Sequence, residues 1–140
     1  MPITVTAPTG VLTTTGREQI IPRLTEALIE ASGQKGNRFL TSIIGGTVHT
    51  LAPSTIYAGG THRPVVTVEL KLPNIGLPDP AARAAFITAA TEIVDDMTVD
   101  EHDRVDTWVN IVNAPDGGWG IGGTAYTGED LIAAISGSSS

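Results

Sequence analysis

The chain opens Met1-Pro2, and that pair sets up chemistry that no internal residue can supply. A small residue after an initiator methionine favours removal of the methionine. Pro2 would then carry a free secondary amine in place of an amide nitrogen, and such an amine is both a base and a nucleophile. Other chemistry-bearing side chains are sparse. With no cysteine, thiolate nucleophiles, disulfides and sulfur-bound zinc are excluded. His49, His62 and His102 lack metal-ligand spacing. Gly118–Gly123 (GWGIGG) fits the dinucleotide pattern G-x-G-x-x-G, but no acidic residue follows at the required distance, and a hairpin needing positive φ accounts for the glycines. No lysine follows a glycine loop in the phosphate-binding manner. The acidic stretch Val99–Asp106 (VDEHDRVD) reads as a solvated turn, and no serine–histidine–acid arrangement supports hydrolysis.

Positioning an N-terminal amine requires a folded scaffold, and the bulk composition supplies one. The chain has 140 residues, 41% hydrophobic and only 16% charged, which is enough to bury a core in one domain or in two small similar units. Its net charge of −7 argues against a nucleic-acid partner, because no basic patch exists to displace counterions. No apolar run reaches the roughly 18 residues of a membrane span, so no membrane partner is expected. The start lacks the basic and apolar regions of a signal peptide, which with the missing cysteines fits a cytoplasmic protein. The small polar tail Ser136–Ser140 reads as disordered.

The sequence repeats itself. YAGGT (Tyr57–Thr61) and GIGGT (Gly120–Thr124) lie 63 residues apart, and the same spacing places Thr4–Thr6 on Thr67–Glu69. Each half runs through the same order of elements. In the first, ITVTA alternates as a half-buried strand, and Thr15 with Glu18 suggests a capping box. Ile20, Ile21, Leu24, Leu28 and Ala31 then follow at helical spacing to a stop at Gly33, with Pro22 awkwardly inside. Phe39–Leu51 reads as a second strand, broken or bulged at Gly45-Gly46.

The second half gives a strand (PVVTVELKL), a loop, an N-cap and first-turn proline at Asp79-Pro80, and a helix whose apolar face is Phe86, Ile87, Ala90, Ile93, Val94 and Met97. A strand (DTWVNIVN) and a glycine-rich hairpin close it. The expectation is an α+β fold: tandem β-α-β units, about 1–62 and 63–128 within a domain of residues 1–135, forming a four-stranded mixed sheet with two helices on one face. The other face is expected to be apolar and covered by further copies of the chain.

Proline at position 2, the tandem β-α-β unit, and GGWGIGG (Gly117–Gly123) after a strand together resemble the tautomerase superfamily. That family includes 4-oxalocrotonate tautomerase, macrophage migration inhibitory factor, malonate semialdehyde decarboxylases and haloacrylate dehalogenases. The resemblance runs to about Tyr126, and WGIGG is its most specific piece. It implies a cofactor-free keto–enol tautomerase or isomerase acting on a small 2-oxo or enol compound, with Pro2 as general base, and a homotrimer built from two-unit chains. Enclosing the amine in an apolar pocket lowers its pKa towards neutrality, so that it can take a proton next to a carbonyl and return it elsewhere.

The chain departs from these relatives where they bind carboxylates. Val11-Leu12, Trp108 and Leu72-Pro73-Asn74 stand at the three places where members carry arginines. A diacid substrate is therefore not expected. Along TWVNIVN, Trp108, Asn110 and Val112 share one face. There the resemblance implies Asn110 as an amide donor to the developing oxyanion and Trp108 as a pocket wall. It also places Trp119 as a pocket-lining aromatic, and Lys35 near a pocket lysine, although Lys35 itself reads as solvated surface. Two other functions fit the same residues: an oligomeric binding or signalling module with a vestigial site, and a decarboxylase or hydratase using charged Pro2 as an acid.

Overall fold

A computed structural model of the chain describes residues 1–137; Ser138–Ser140 of the expected disordered tail lie outside the described residues. Strand β1 (Pro2–Pro8) is followed by helix α1 (Thr14–Ser32), short helix α2 (Arg38–Ser42), strand β2 (Gly45–Leu51) and a hairpin of β3 (Tyr57–Ala58) and β4 (Thr61–His62). The second half has β5 (Val66–Leu72), α3 (Pro80–Met97), β6 (Thr107–Asn113), a hairpin of β7 (Trp119–Ile121) and β8 (Thr124–Tyr126), and α4 (Gly128–Ser136). The main sheet has the order β2-β1-β5-β6. β1 runs parallel to β2 and β5 parallel to β6, while β1 and β5 join the halves antiparallel, with Val5 opposite Val68. This is the expected α+β fold with a four-stranded mixed sheet.

Alternation on the two central strands sends Ile3, Val5 and Ala7 of β1, and Val66, Val68, Leu70 and Leu72 of β5, under the helices; none is more than 1% exposed. Ile20, Leu24 and Leu28 of α1 and Phe86, Ala90 and Val94 of α3 complete this core. Ile87, expected on the apolar face of α3, is instead 39% exposed. The internal repeat is visible in the turns. Gly59-Gly60 and Gly122-Gly123 all have positive φ and form the two-residue loops of the β3–β4 and β7–β8 hairpins.

Three local readings change. The cap of α1 is Thr13, whose hydroxyl accepts from Gly16 N–H at 2.8 Å, rather than Thr15 with Glu18. Phe39–Ser42 are helical and the strand begins only at Gly45, because Asn37 caps α2 by accepting from Leu40 N–H at 2.9 Å. α4 has no counterpart among the sequence-based elements. Thr127 and Asp130 form its capping box, Leu131 is fully buried, and the helix includes Ser136.

The open sheet face is threonine-rich, not broadly apolar. It carries Thr4, Thr6, Thr47, His49, Thr67, Glu69, Lys71 and Asn110, together with Leu51, Trp108 and Val112. The last three are 41%, 41% and 52% exposed. Among the described residues, no helix is long and apolar enough to cross a membrane.

α1 and α3 meet closely where Thr13 N–H donates to Met97 O at 3.0 Å. A β-carbon on Gly16 would lie 2.1 Å from that same carbonyl oxygen. Gly16→Ala must push two backbone segments apart and is expected to cost about 1–3 kcal/mol, as overpacking typically does. Urea denaturation checks this, and an unchanged midpoint would contradict the close approach.

Candidate functional site

Pro2 starts β1 opposite Gly45, the first residue of β2. Strand alternation turns its ring to the open face while Met1 and Ile3 turn inward; Met1 is 7% exposed. Pro2 and Trp119 border one surface groove, together with Met1, Ser42, Ile43 and Ile121. The β7–β8 hairpin supplies Trp119, which is half-buried and packs against the main core. Two of the sequence-derived candidates are thereby brought together by elements more than 100 residues apart in the chain.

Trp108 and Asn110 stand elsewhere. Asn110 pairs with Glu69 on β5, which pairs with Thr4 on β1. It is therefore two strands from Pro2 and two residues further along, roughly 12 Å away at normal sheet spacings. Within one chain Asn110 and Pro2 are therefore not adjacent. Trp108 lies further along β6, where its indole N–H donates to Val105 O at 3.2 Å. The Arg63 guanidinium lies 5.9 Å from its ring centroid and pairs with Asp106 at 2.6 Å. Lys35 is exposed, and it lines neither the groove nor the inner cavity described next.

Behind the groove, Met1 forms one wall of a cavity of about 340 Å³ between α1, α2, α3, α4 and the loop after β5. No described residue lining this cavity or the groove is a lysine or arginine. Of Val11-Leu12, Trp108 and Leu72-Pro73-Asn74, Leu12 and Leu72 are buried apolar residues and Trp108 is the open-face residue just described.

The loop between β5 and α3 is tightly held. Asn113 donates its amide to Pro73 O and Gly76 O at 2.9 and 2.8 Å, and Arg83 donates to Leu77 O and Pro78 O at 2.9 and 2.8 Å. These bonds hold Leu77 at φ 44, the one positive φ among described residues other than glycine, with its side chain 4% exposed. Neither Leu77 nor this cavity has a signature in the sequence. Gly76 hints at a turn but does not say which side chain the turn buries.

No protein-family model matches the sequence, and no curated protein matches it. Solved structures do match. A fused 4-OT symmetric trimer superposes with a TM-score of 0.76 at 16% identity, covering 95% of this chain and 98% of that one. Pt0534 inactivated by 2-oxo-3-pentynoate gives 0.75 at 15% identity, covering 94% and 98%. Macrophage migration inhibitory factor from Toxoplasma gondii gives 0.67 at 12% identity, covering 90% and 100%. At these identities the likeness is one of fold, which this chain shares with all three structures over nearly its whole length.

The Met1 ammonium donates to Ile43 O at 2.5 Å, and burial pushes its pKa down from 8.0 to about 6. Between those two values the unfolded chain binds more protons than the folded one, so stability of the Met1-bearing chain rises with pH from about 6 to 8. Below about 6 both states are protonated and the folded state carries the full cost of burying charge. Urea midpoints measured across this window are expected to climb, and a flat or falling profile would contradict the buried amine.

Proposed function

We propose that the processed protein is a cofactor-free keto–enol tautomerase in which the free amine of Pro2 is the general base. The observation that carries this reading is the position of Pro2. It heads a central strand, borders a groove shared with Trp119, and does so on a tautomerase-type fold. The amine would take a proton from the carbon next to a ketone, leaving an enolate, and return it to the enolate oxygen or to a different carbon. Apolar surroundings penalise the ammonium form of an N-terminal amine, as they do for Met1, whose amine burial pushes down to about 6. Because Leu12, Leu72 and Trp108 stand where the resembling family carries arginines, the substrate is a small 2-oxo or enol compound that is not a diacid.

Assembly as a homotrimer belongs to the same reading. The fused 4-OT neighbour is a trimer, and the exposed Leu51, Trp108 and Val112 on the open sheet face are what a second copy would cover. Asn110 is not adjacent to Pro2 within one chain, and in this reading a trimer would offer its amide to a neighbouring protomer's site. Trp108, on the same strand face, would be placed likewise.

A second reading is favoured by the burial of Met1. A methionine only 7% exposed stabilises the core, and a chain that keeps it has an amide at Pro2 and no base there. In that case the groove is vestigial and the molecule is a binding module. The intact mass of the purified protein separates the two, with the tautomerase reading requiring loss of Met1.

For the processed protein, Pro2→Ala is expected to lower kcat/KM for ketonisation of an enol such as phenylpyruvate by about two to four orders of magnitude, the usual range for general acid–base catalysis. Full activity in that variant would remove Pro2 from the mechanism. Sedimentation of the same preparation is expected to give three chains per particle, and a stable monomer at micromolar concentration would contradict the trimer.

A further inference from the structure

Met1 is held along its whole length. Its ammonium donates to Ile43 O at 2.5 Å, its carbonyl accepts from Gly45 N–H at 3.1 Å, and its side chain enters the core. The cavity of about 340 Å³ beside that side chain is walled by Leu28, Leu40, Leu72, Leu77, Ala82 and Ile135. Leu77 reaches this wall only through a backbone conformation that a leucine rarely adopts, held there by four hydrogen bonds from Arg83 and Asn113 to the loop carbonyls. Strain maintained in this way marks a place where the shape of the wall matters.

We propose that Met1 occupies the path a substrate takes once the methionine is gone: the substrate's carbonyl oxygen accepts from Gly45 N–H, and an uncharged alkyl or aryl arm runs into the chamber beside Leu77. This rests on the reading of Pro2 as the base. Hydrolysis of the Met1–Pro2 bond leaves a lone pair on the Pro2 nitrogen pointing into the space where the Met1 carbonyl carbon stood. A carbon next to a ketone, seated there, has its proton within reach of that lone pair. The nitrogen takes the proton, the C–H electron pair becomes the new carbon–carbon double bond, and the carbonyl π pair moves to oxygen. The enolate so formed faces the Gly45 N–H, a fixed backbone dipole of the kind that stabilises developing oxyanions. The Pro2 ammonium then returns the proton to that oxygen, giving the enol.

The chamber defines the substrate class. Its polar lining residues are Ser32, Gln34 and Asp79, with no lysine or arginine among the described lining residues, and the Asp79 carboxylate already accepts from Ala81 N–H. An anionic arm would be buried there without a partner, whereas a hydrocarbon arm replaces the methionine side chain in kind. The carboxylate of a 2-oxo acid stays at the open groove beside Trp119, and only the far end of the molecule is selected.

Straight-chain 2-oxo acids from pyruvate to 2-oxooctanoate test this on the processed full chain, with dissociation constants from calorimetry and C3 proton exchange into D2O followed by NMR. The dissociation constant is expected to fall about fourfold for each added methylene, the value for burying one such group, until the arm passes the reach of a methionine side chain. The Gly45 amide resonance is expected to shift on binding. Protein made with methionine aminopeptidase inhibited, and so retaining Met1, is expected to bind none of the series. Equal affinity along the series, or equal binding by the Met1-retaining protein, would overturn the subsite. Arm-dependent affinity without C3 exchange would instead uphold the subsite and overturn the tautomerase reading.

Discussion

The structure depends on β1 being flanked by strands on both sides almost from its start, on one side from Pro2 and on the other from Ile3. It pairs with β2 from Pro2↔Gly45 through Pro8↔Leu51, and with β5 through Ile3↔Leu70 to Thr6↔Thr67. A chain terminus placed at a sheet edge frays, but one inside the sheet cannot. Because side chains alternate, burying Ile3 and Val5 beneath α1 and α3 leaves no choice for their neighbours: Met1 must point into the core and Pro2 must point out. The same antiparallel join of β1 to β5 makes two β-α-β units into one domain and lets both helices share one apolar core. The site inherits its rigidity from this arrangement, since the nitrogen in question belongs to a ladder residue.

Much of this was readable from the amino acids, and the reasons are physical. The 63-residue repeat predicts two equivalent units because each Gly-Gly pair must supply two positive φ values, and Gly59, Gly60, Gly122 and Gly123 do so. Asp79-Pro80 starts a helix because the aspartate caps it and the proline needs no partner, as the 2.9 Å bond to Ala81 N–H shows. The misreadings arose where tertiary contacts outweighed local pattern. Phe39–Ser42 has strand-like composition, yet Asn37 caps a helix there and gives its amide to Ile135 O at 2.7 Å, a partner 98 residues away. α4 lies beyond the two repeated units, so the repeat does not announce it, although Thr127, Asp130, Leu131 and Ile135 carry a helix signature. The candidate site was legible in part: Pro2 and Trp119 border one groove, but the separation of Asn110 from Pro2 depends on strand order, and the strained Leu77 on a loop no pattern reveals.

Met1 ties packing to chemistry. A buried methionine stabilises the core, while the same residue, bonded to Pro2, makes the Pro2 nitrogen an amide in place of a free amine. Met1 is held by Ile43 O, by Gly45 N–H and by the leucines around its side chain. Lacking the guanidinium groups that bind diacids, the chain offers apolar walls and backbone donors instead. The fold is held in common with its structural neighbours, and on the proposed reading a few residues at one end of the sheet set discrimination.

The central claim is that a free amine at Pro2 does the chemistry. The most direct measurement compares kcat/KM for an enol substrate between the processed protein and one carrying a single alanine ahead of Pro2, with thermal unfolding and sedimentation confirming the same fold and assembly. The extension turns the nitrogen into an amide while leaving every other residue in place. Activity is expected to fall by about two to four orders of magnitude in the extended protein. Undiminished activity with an amide at that position would contradict the account.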